Sequence, residues 1–166
     1  TMKRSVTVGL GVAALAILAA LSSLNSQPPL WETDPFNPPS WGKEEDLKLP
    51  GRPHSLHIYG IENPSATFSV LIVHGTAHHG GWYYEFAPAL AKKAQCSVFA
   101  LDLTGHGQSG GERGVFRMHD FIEDIDAVAG EIKRRLPGTK LVLLGARQGF
   151  ARVQRVFNVR LAQSRR

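Results

Sequence analysis

The stretch KLVLLGARQG, residues 140–149, says more about the fold than any other part of the sequence. Its apolar residues 141–144 run into Gly145, and a second glycine follows at Gly149. An apolar run of this length that ends at a glycine predicts a buried strand followed by a sharp turn. In the G-x-S-x-G form of such a turn, the middle residue is an exposed nucleophilic serine. Here Arg147 holds the middle position, so the strand and turn are predicted without the nucleophile.

Strands and helices are predicted to alternate before this stretch. Residues 68–74 are almost continuously apolar, as in a central parallel strand that is covered on both faces. Residues 120–136 carry apolar side chains at helical spacing, with Asp120 as N-cap and with Glu123 and Asp124 facing water. The predicted elements are strands at 55–60, 68–74, 97–103 and 141–144, and helices at 86–94 and 120–136. Their alternation predicts an α/β fold with a doubly wound, mostly parallel sheet.

The N-terminal segment, residues 1–24, has the pattern of a signal peptide or a membrane anchor. Lys3 and Arg4 precede an apolar run at residues 6–24, as in the n-region and h-region of an export signal. Residues 20–22 offer a small-x-small cleavage site, but the run is also nearly as long as the roughly 20 residues that span a bilayer. Both alternatives stay open, with a buried soluble helix as a third. The positive-inside rule predicts a body that is exported or membrane-anchored outside the cytoplasm.

The rest of the chain divides into a linker, a body and a basic tail. Residues 25–54 are rich in proline and tryptophan without helical or strand periodicity, which predicts a linker or an extended arm over the body. The body is predicted at residues 55–149 and the basic tail at 150–166. Residues 146–166 hold six of the 19 basic residues and no acid, so 13 basic and 14 acidic residues remain elsewhere. A nearly neutral body argues against a nucleic-acid partner.

Two glycine-rich segments follow predicted strands and carry most of the candidate chemistry. His74, Gly75 and Thr76 come at the end of the strand at 68–74, where a loop of small residues can aim backbone N–H groups at a developing oxyanion. The second segment, DLTGHGQSGGERG at residues 102–114, begins within the strand predicted at 97–103. The turn that contains Arg147 is the third candidate.

In this order the motifs resemble the monoglyceride lipase and lysophospholipase branch of the α/β-hydrolase fold. The run GHGQSGGERG is quite specific for that branch, and the resemblance covers about residues 55–149. It implies hydrolysis of lipid or other small acyl esters by a serine nucleophile, an aspartate and a histidine, without a cofactor or a metal. It also implies that the backbone N–H groups of Thr76 and Gln148 form the oxyanion hole, with Arg147 in place of the serine. The loop-orienting residues that it implies are His74, Gly75, Asp102, Gly105, His106 and Gly107.

The departures from this family predict a chain that is catalytically incomplete. An arginine cannot attack an ester, because its guanidinium stays protonated. The family's aspartate, histidine and later strands are expected beyond the end of this sequence, which would leave a hydrolase domain truncated after residues 141–144, with that strand as an uncovered sheet edge. The composition changes abruptly at Ala146, so we hypothesise a change of reading frame or splicing near Gly145, after which the tail is not family sequence.

Other motif matches and the single cysteine are given structural interpretations. Residues 107–111 also fit G-x-S-x-G, and residues 105–110 fit the dinucleotide motif G-x-G-x-x-G, but neither opens a helix, so Ser109 is predicted to bond nearby backbone. Cys96, with no cysteine to pair with, is predicted to be buried. A set of histidines lacks the spacing and acidic or cysteine partners of a zinc site. These histidines are His74, His78, His79 and His106.

Two functions stay open from the sequence. One is that of a serine hydrolase that cleaves carboxylic esters in its full-length form. The other is that of a non-catalytic truncated product or pseudoenzyme, which binds an acyl ligand or a protein partner.

Overall fold

The computed structural model describes Ile17 and residues 40–113, 115 and 117–145. The elements follow one another in the order β1 (Lys43–Leu47), β2 (Leu56–Ile61), β3 (Phe68–Val73), a 3-10 helix (Gly80–Tyr83), α1 (Phe86–Ala94), β4 (Ser97–Leu101), α2 (Met118–Arg135) and β5 (Lys140–Gly145). The strands form one mixed sheet in the order β1-β2-β4-β3-β5. β3, β4 and β5 are parallel, whereas β2 pairs antiparallel with both β1 and β4. The predicted α/β fold is thus confirmed, with a mixed sheet in which two of the four strand pairings are parallel.

Helices α1 and α2 cover opposite faces of the sheet. The central strand β3 is buried along its whole length, as its uninterrupted apolar sequence predicted. Its Val70 and Ile72 belong to the core beneath α1, whereas Leu71 and Val73 belong to the core beneath α2. This alternation follows from the strand period of two, and it makes the sheet doubly wound.

β1 is a strand that the sequence did not predict. It lies inside the segment interpreted as a linker, and its sequence KEEDL has little apolar character. Its residues pair in register from Lys43 opposite Gly60 to Leu47 opposite Leu56. Charged side chains on an edge strand discourage pairing with other chains. They also leave this strand without an apolar pattern, which is why hydrophobicity did not reveal it. The folded body therefore begins before residue 55.

Helix α2 begins two residues earlier than predicted. Its N-cap is Arg117, which has extended backbone and makes no side-chain capping bond, so Asp120 as N-cap is wrong. Asp120 instead lies in the first turn, where its negative charge still complements the partial positive charge of the helix N-terminus.

β5 and β1 are the edge strands of the sheet within the part of the chain that the structure describes. The side chains of Leu141 and Leu143 contact one core, and those of Val142 and Leu144 the other, and all four are half-buried. In that same part of the chain, no helix is long and apolar enough to cross a membrane. The predicted signal or anchor at residues 6–24 lies outside the described residues except for Ile17, and the predicted tail lies wholly outside them.

Candidate functional site

The carboxyl ends of the three parallel strands meet at one edge of the sheet. Val73 at the end of β3 is in register with Leu101 at the end of β4 and with Gly145 at the end of β5. The chain therefore leaves the sheet at this edge in three adjacent places. Open α/β sheets bind ligands outside the carboxyl ends of their strands, which makes this edge the candidate site.

The loop after β3 is anchored by the ring of His74. This ring is fully buried, and its Nε2 accepts a hydrogen bond from the Leu103 N–H at 3.0 Å. Nδ1 lies 2.7 Å from the Gly75 carbonyl oxygen, to which it donates. The two partners together assign the neutral tautomer with its proton on Nδ1. His74 thus joins the end of β3 to the segment after β4, as a loop-orienting residue would.

The predicted oxyanion donor Thr76 follows in a tight, half-buried turn. The His78 N–H donates to the Gly75 carbonyl across this turn at 3.4 Å, and Ala77 has a left-handed backbone with φ of 62°. Beyond it, His79 caps the 3-10 helix by accepting from the Gly81 N–H at 3.2 Å. The backbone of Thr76 therefore lies at the start of a bent loop at the carboxyl edge of the sheet.

Asp102 lies beneath both loops of the site. Its buried carboxylate accepts hydrogen bonds from the Gly80 N–H at 2.5 Å and from the Gln108 N–H at 2.7 Å. Burial raises the pKa of this carboxyl, while the Gln108 and Gly80 N–H groups and the nearby His79 oppose the rise. The sequence pointed to Asp102 through the family motif, but it did not reveal these two partners.

The glycines of the GHG segment are required by close approaches. Gly105 and Gly107 have φ of 74° and 47°, in the region that favours glycine. A Cβ on Gly107 would lie 1.9 Å from Asp102 Oδ2, and one on Gly105 would lie 2.8 Å from the Glu112 carbonyl oxygen. Between them, the His106 ring packs against that of His74 at 5.0 Å. The segment thus forms a compact loop against the carboxylate.

Ser109 is a structural residue of this loop, as predicted. Its Oγ donates to the Asp102 carbonyl oxygen at 2.5 Å and accepts from the His57 N–H at 2.7 Å. The side chain is also buried, with 1% of its surface exposed. A hydroxyl that is fully engaged and shielded in this way is not available to attack a substrate.

A buried ion pair beside the site contradicts one prediction. Asp124 was expected to face water, but it is fully buried. Its Oδ1 lies 2.5 Å from Arg52 Nη2, and its Oδ2 accepts from the Thr104 N–H at 2.8 Å. The signal was present in the sequence, because Asp124 is three residues after Phe121 and four before Val128, and therefore on the apolar stripe of α2.

The histidines of the two loops are not brought together as metal ligands. Among the described residues, the one group of three or more potential ligands is His119, Asp120 and Glu123, at the start of α2. Glu123 is already paired with Arg52 at 2.5 Å. The positive end of the helix dipole also disfavours a cation there.

Arg147 and Gln148 lie outside the described residues. The described part of the chain ends with β5 at Gly145, and the predicted turn follows it.

A family profile matches the segment that contains these elements. The profile described as "Serine aminopeptidase, S33" matches residues 64–157, which is more than half of the chain. The match continues past Gly145 and includes Arg147. The matched range thus extends beyond residue 145, and the change of reading frame or splicing near Gly145 stays a hypothesis.

Curated relatives resemble about half of the chain. Human monoglyceride lipase is 37% identical over 83 residues, which are 49% of this chain and 27% of that protein. The monoacylglycerol lipase of Mycolicibacterium smegmatis (strain ATCC 700084 / mc(2)155) is 36% identical over 81 residues, which are 48% of this chain and 29% of that protein. The chain thus spans less than a third of the length of either relative.

Solved structures share the fold. The thioesterase domain from the curacin biosynthetic pathway superposes with a TM-score of 0.56 and 30% identity, over 71% of this chain and 42% of that domain. Est1E from Butyrivibrio proteoclasticus, in a structure with bound ferulic acid, has a TM-score of 0.55 over 68% of this chain and 46% of Est1E, and at 20% identity it is similar in fold alone.

Proposed function

Because the chain belongs to the serine aminopeptidase S33 family of hydrolases, we propose that its strand ends form part of a site for lipid esters with one acyl chain. The register of Val73 with both Leu101 and Gly145 carries this proposal. It brings the end of β5, where the predicted turn begins, beside the start of the loop that contains Thr76. A nucleophile in that turn and an N–H donor in that loop would face the same carbonyl group. The lipase names of the relatives support the lipid class of the substrate.

We propose further that this chain binds such an ester without cleaving it. Nucleophilic catalysis needs a group with an available electron pair, and the Arg147 guanidinium remains protonated at physiological pH. Ser109 cannot replace the missing serine, because its hydroxyl is buried and bonded on both sides. The chain would then act as a binding relative of the hydrolases.

The test combines binding and turnover on the full chain. The ¹⁵N-labelled protein is titrated with 1-octanoylglycerol below its micellar concentration, while octanoate release and labelling by a fluorophosphonate probe are followed in parallel. We expect amide shifts at residues 74–80 and 102–108, an unchanged spectrum at residues 130–139, and no release or labelling above a heat-denatured control. Turnover would refute the absence of catalysis, and a spectrum that octanoylglycerol leaves unchanged would refute the binding site.

We also propose that residues 6–24 direct the body out of the cytoplasm, as a cleaved signal or an anchor. The two positive charges before the apolar run support this. Residues 1–40 fused to a periplasmic alkaline phosphatase should give active enzyme in a bacterial host, and Leu15→Arg with Leu18→Arg should abolish that activity. An active fusion with both arginines present would contradict the proposal.

A further inference from the structure

We infer that Asp102 is a positioning residue of this site: its carboxylate joins the loop after β3 to the loop after β4 and thereby sets the place of Thr76. The inference rests on the proposed function only in naming Thr76 as the residue that would face a carbonyl group. The joint between the loops, which consists of the hydrogen bonds from Gly80 and Gln108 to the Asp102 carboxylate, does not depend on that proposal.

The loop at residues 74–80 is held at both ends by two consecutive residues. At its start, the His74 ring accepts from the Leu103 N–H at 3.0 Å. At its end, the Gly80 N–H donates to Asp102 Oδ1 at 2.5 Å. Thr76 lies between these anchors. Its position therefore depends on the segment after β4 as well as on β3.

The second carboxylate oxygen holds the other loop. Asp102 Oδ2 accepts from the Gln108 N–H at 2.7 Å, so each oxygen serves one loop. Both loops approach so closely that side chains are excluded. A Cβ on Gly107 would lie 1.9 Å from Oδ2, and a Cβ on Gly80 would lie 3.1 Å from Oδ1 and 2.7 Å from the Tyr59 ring. The two backbones are packed around the carboxylate itself.

The joint requires an ionised carboxylate. An ionised group accepts on both oxygens, whereas a carboxamide or a protonated carboxyl has a donor at one of its two positions. That donor would face a backbone N–H, which is also a donor, so one of the two hydrogen bonds is lost. Asp102→Asn therefore preserves the shape and removes half of the joint.

Acid should open the same joint in the unchanged protein. Burial raises the pKa of Asp102, so its protonation begins at a higher pH than that of an exposed aspartate. The titratable groups that face this carboxylate are His79 in the loop after β3, His57 and Tyr59 on β2, and Glu44 on β1 close to Tyr59.

Amide hydrogen exchange of the full ¹⁵N-labelled chain tests the inference. In Asp102→Asn we expect one of the two amides, that of Gly80 or of Gln108, to exchange at least about tenfold faster while the other keeps its protection. The Thr76 amide resonance should shift as well. Asp124→Asn is the matched control, because it makes the same change in a buried carboxylate that accepts from Thr104. In Asp124→Asn, the ratio of the Gly80 and Gln108 amide exchange rates should be the same as in the unchanged chain.

Lowering the pH provides a second measurement, which is made on the unchanged chain with Asp102→Asn as its control. Acidification of the unchanged chain should reproduce the Thr76 shift and the loss of protection of one of the two amides. In Asp102→Asn, neither the Thr76 resonance nor the protection of these amides should change with pH. Equal acceleration of the same amide, that of Gly80 or of Gln108, in both aspartate variants would overturn the inference, and so would a Thr76 resonance that stays in place. Failure to bind octanoylglycerol would refute the proposed function and leave these readouts unaffected.

Discussion

The Arg52–Asp124 pair allows a stability prediction whose size follows from burial. Arg52→Met removes the guanidinium but keeps most of the apolar length of the side chain. The Arg52 and Asp124 side chains are 6% and 0% exposed, and Nη2 lies 2.5 Å from Oδ1. Breaking a buried pair of this kind costs about 3–5 kcal/mol, because it leaves an uncompensated charge, whereas exposed pairs contribute about 0–1 kcal/mol. Domains have a free energy of unfolding of about 5–15 kcal/mol, so the loss would be large.

Urea unfolding of the full chain, followed by circular dichroism, measures this effect. The set contains Arg52→Met, Asp124→Leu and the double variant, which removes both charges and should therefore be more stable than the sum of the single changes predicts. Arg134→Met breaks a pair with Glu131 in which the arginine is exposed, and should shift the midpoint by the equivalent of at most about 1 kcal/mol. The reasoning is refuted if Arg52→Met moves the midpoint no further than Arg134→Met, or if the single effects simply add.

Further predictions concern four single residues. Gly107→Ala should lower the free energy of unfolding by about 1–3 kcal/mol, because the added Cβ would meet Asp102. Gly130 lies on the exposed face of α2 with no atom near an added Cβ. Gly130→Ala should therefore raise the free energy of unfolding by about 0.5–1 kcal/mol in the same urea titration. Arg134 and Arg135 lower the pKa of Glu131 to about 2 from 4.5. The contribution of Glu131 to stability is therefore present above pH 4.5 and lost as the pH falls towards 2. A Glu131→Gln variant whose free energy of unfolding has the same pH dependence as that of the unchanged chain would count against this. Burial raises the pKa of the Cys96 thiol to about 11. A thiol reagent at pH 8 should therefore react with Cys96 only as fast as the chain unfolds. Immediate reaction would show that the thiol is accessible in the folded chain.

The fold was predictable where apolar periodicity was strong. β3 and α1 fall within the predicted ranges, and α2 differs from its prediction by two residues at the start and one at the end. β1 was missed because a charged edge strand is defined by pairing with β2 and not by its own hydrophobicity. Asp124 was misplaced because its charge was given more weight than its position on the helix.

The site was predictable only as a set of segments. The motifs pointed to His74, Asp102 and the glycines after it, because short runs of small residues after strands have few structural uses. They did not reveal which groups bond to one another, since those partners are separated by many residues. The His74–Leu103 and Gly80–Asp102 contacts, for example, join segments 29 and 22 residues apart.

The sequence by itself determined the alternation of strands and helices, the glycine-rich loops and the arginine in the middle of the turn predicted after β5. These are local properties, in which each residue type restricts its own backbone or its own burial. The tertiary structure alone decided that Asp102 serves both loops, that Ser109 is fully engaged and that Asp124 is buried with Arg52. Such roles depend on desolvation and on hydrogen-bond partners, which exist only once distant segments meet.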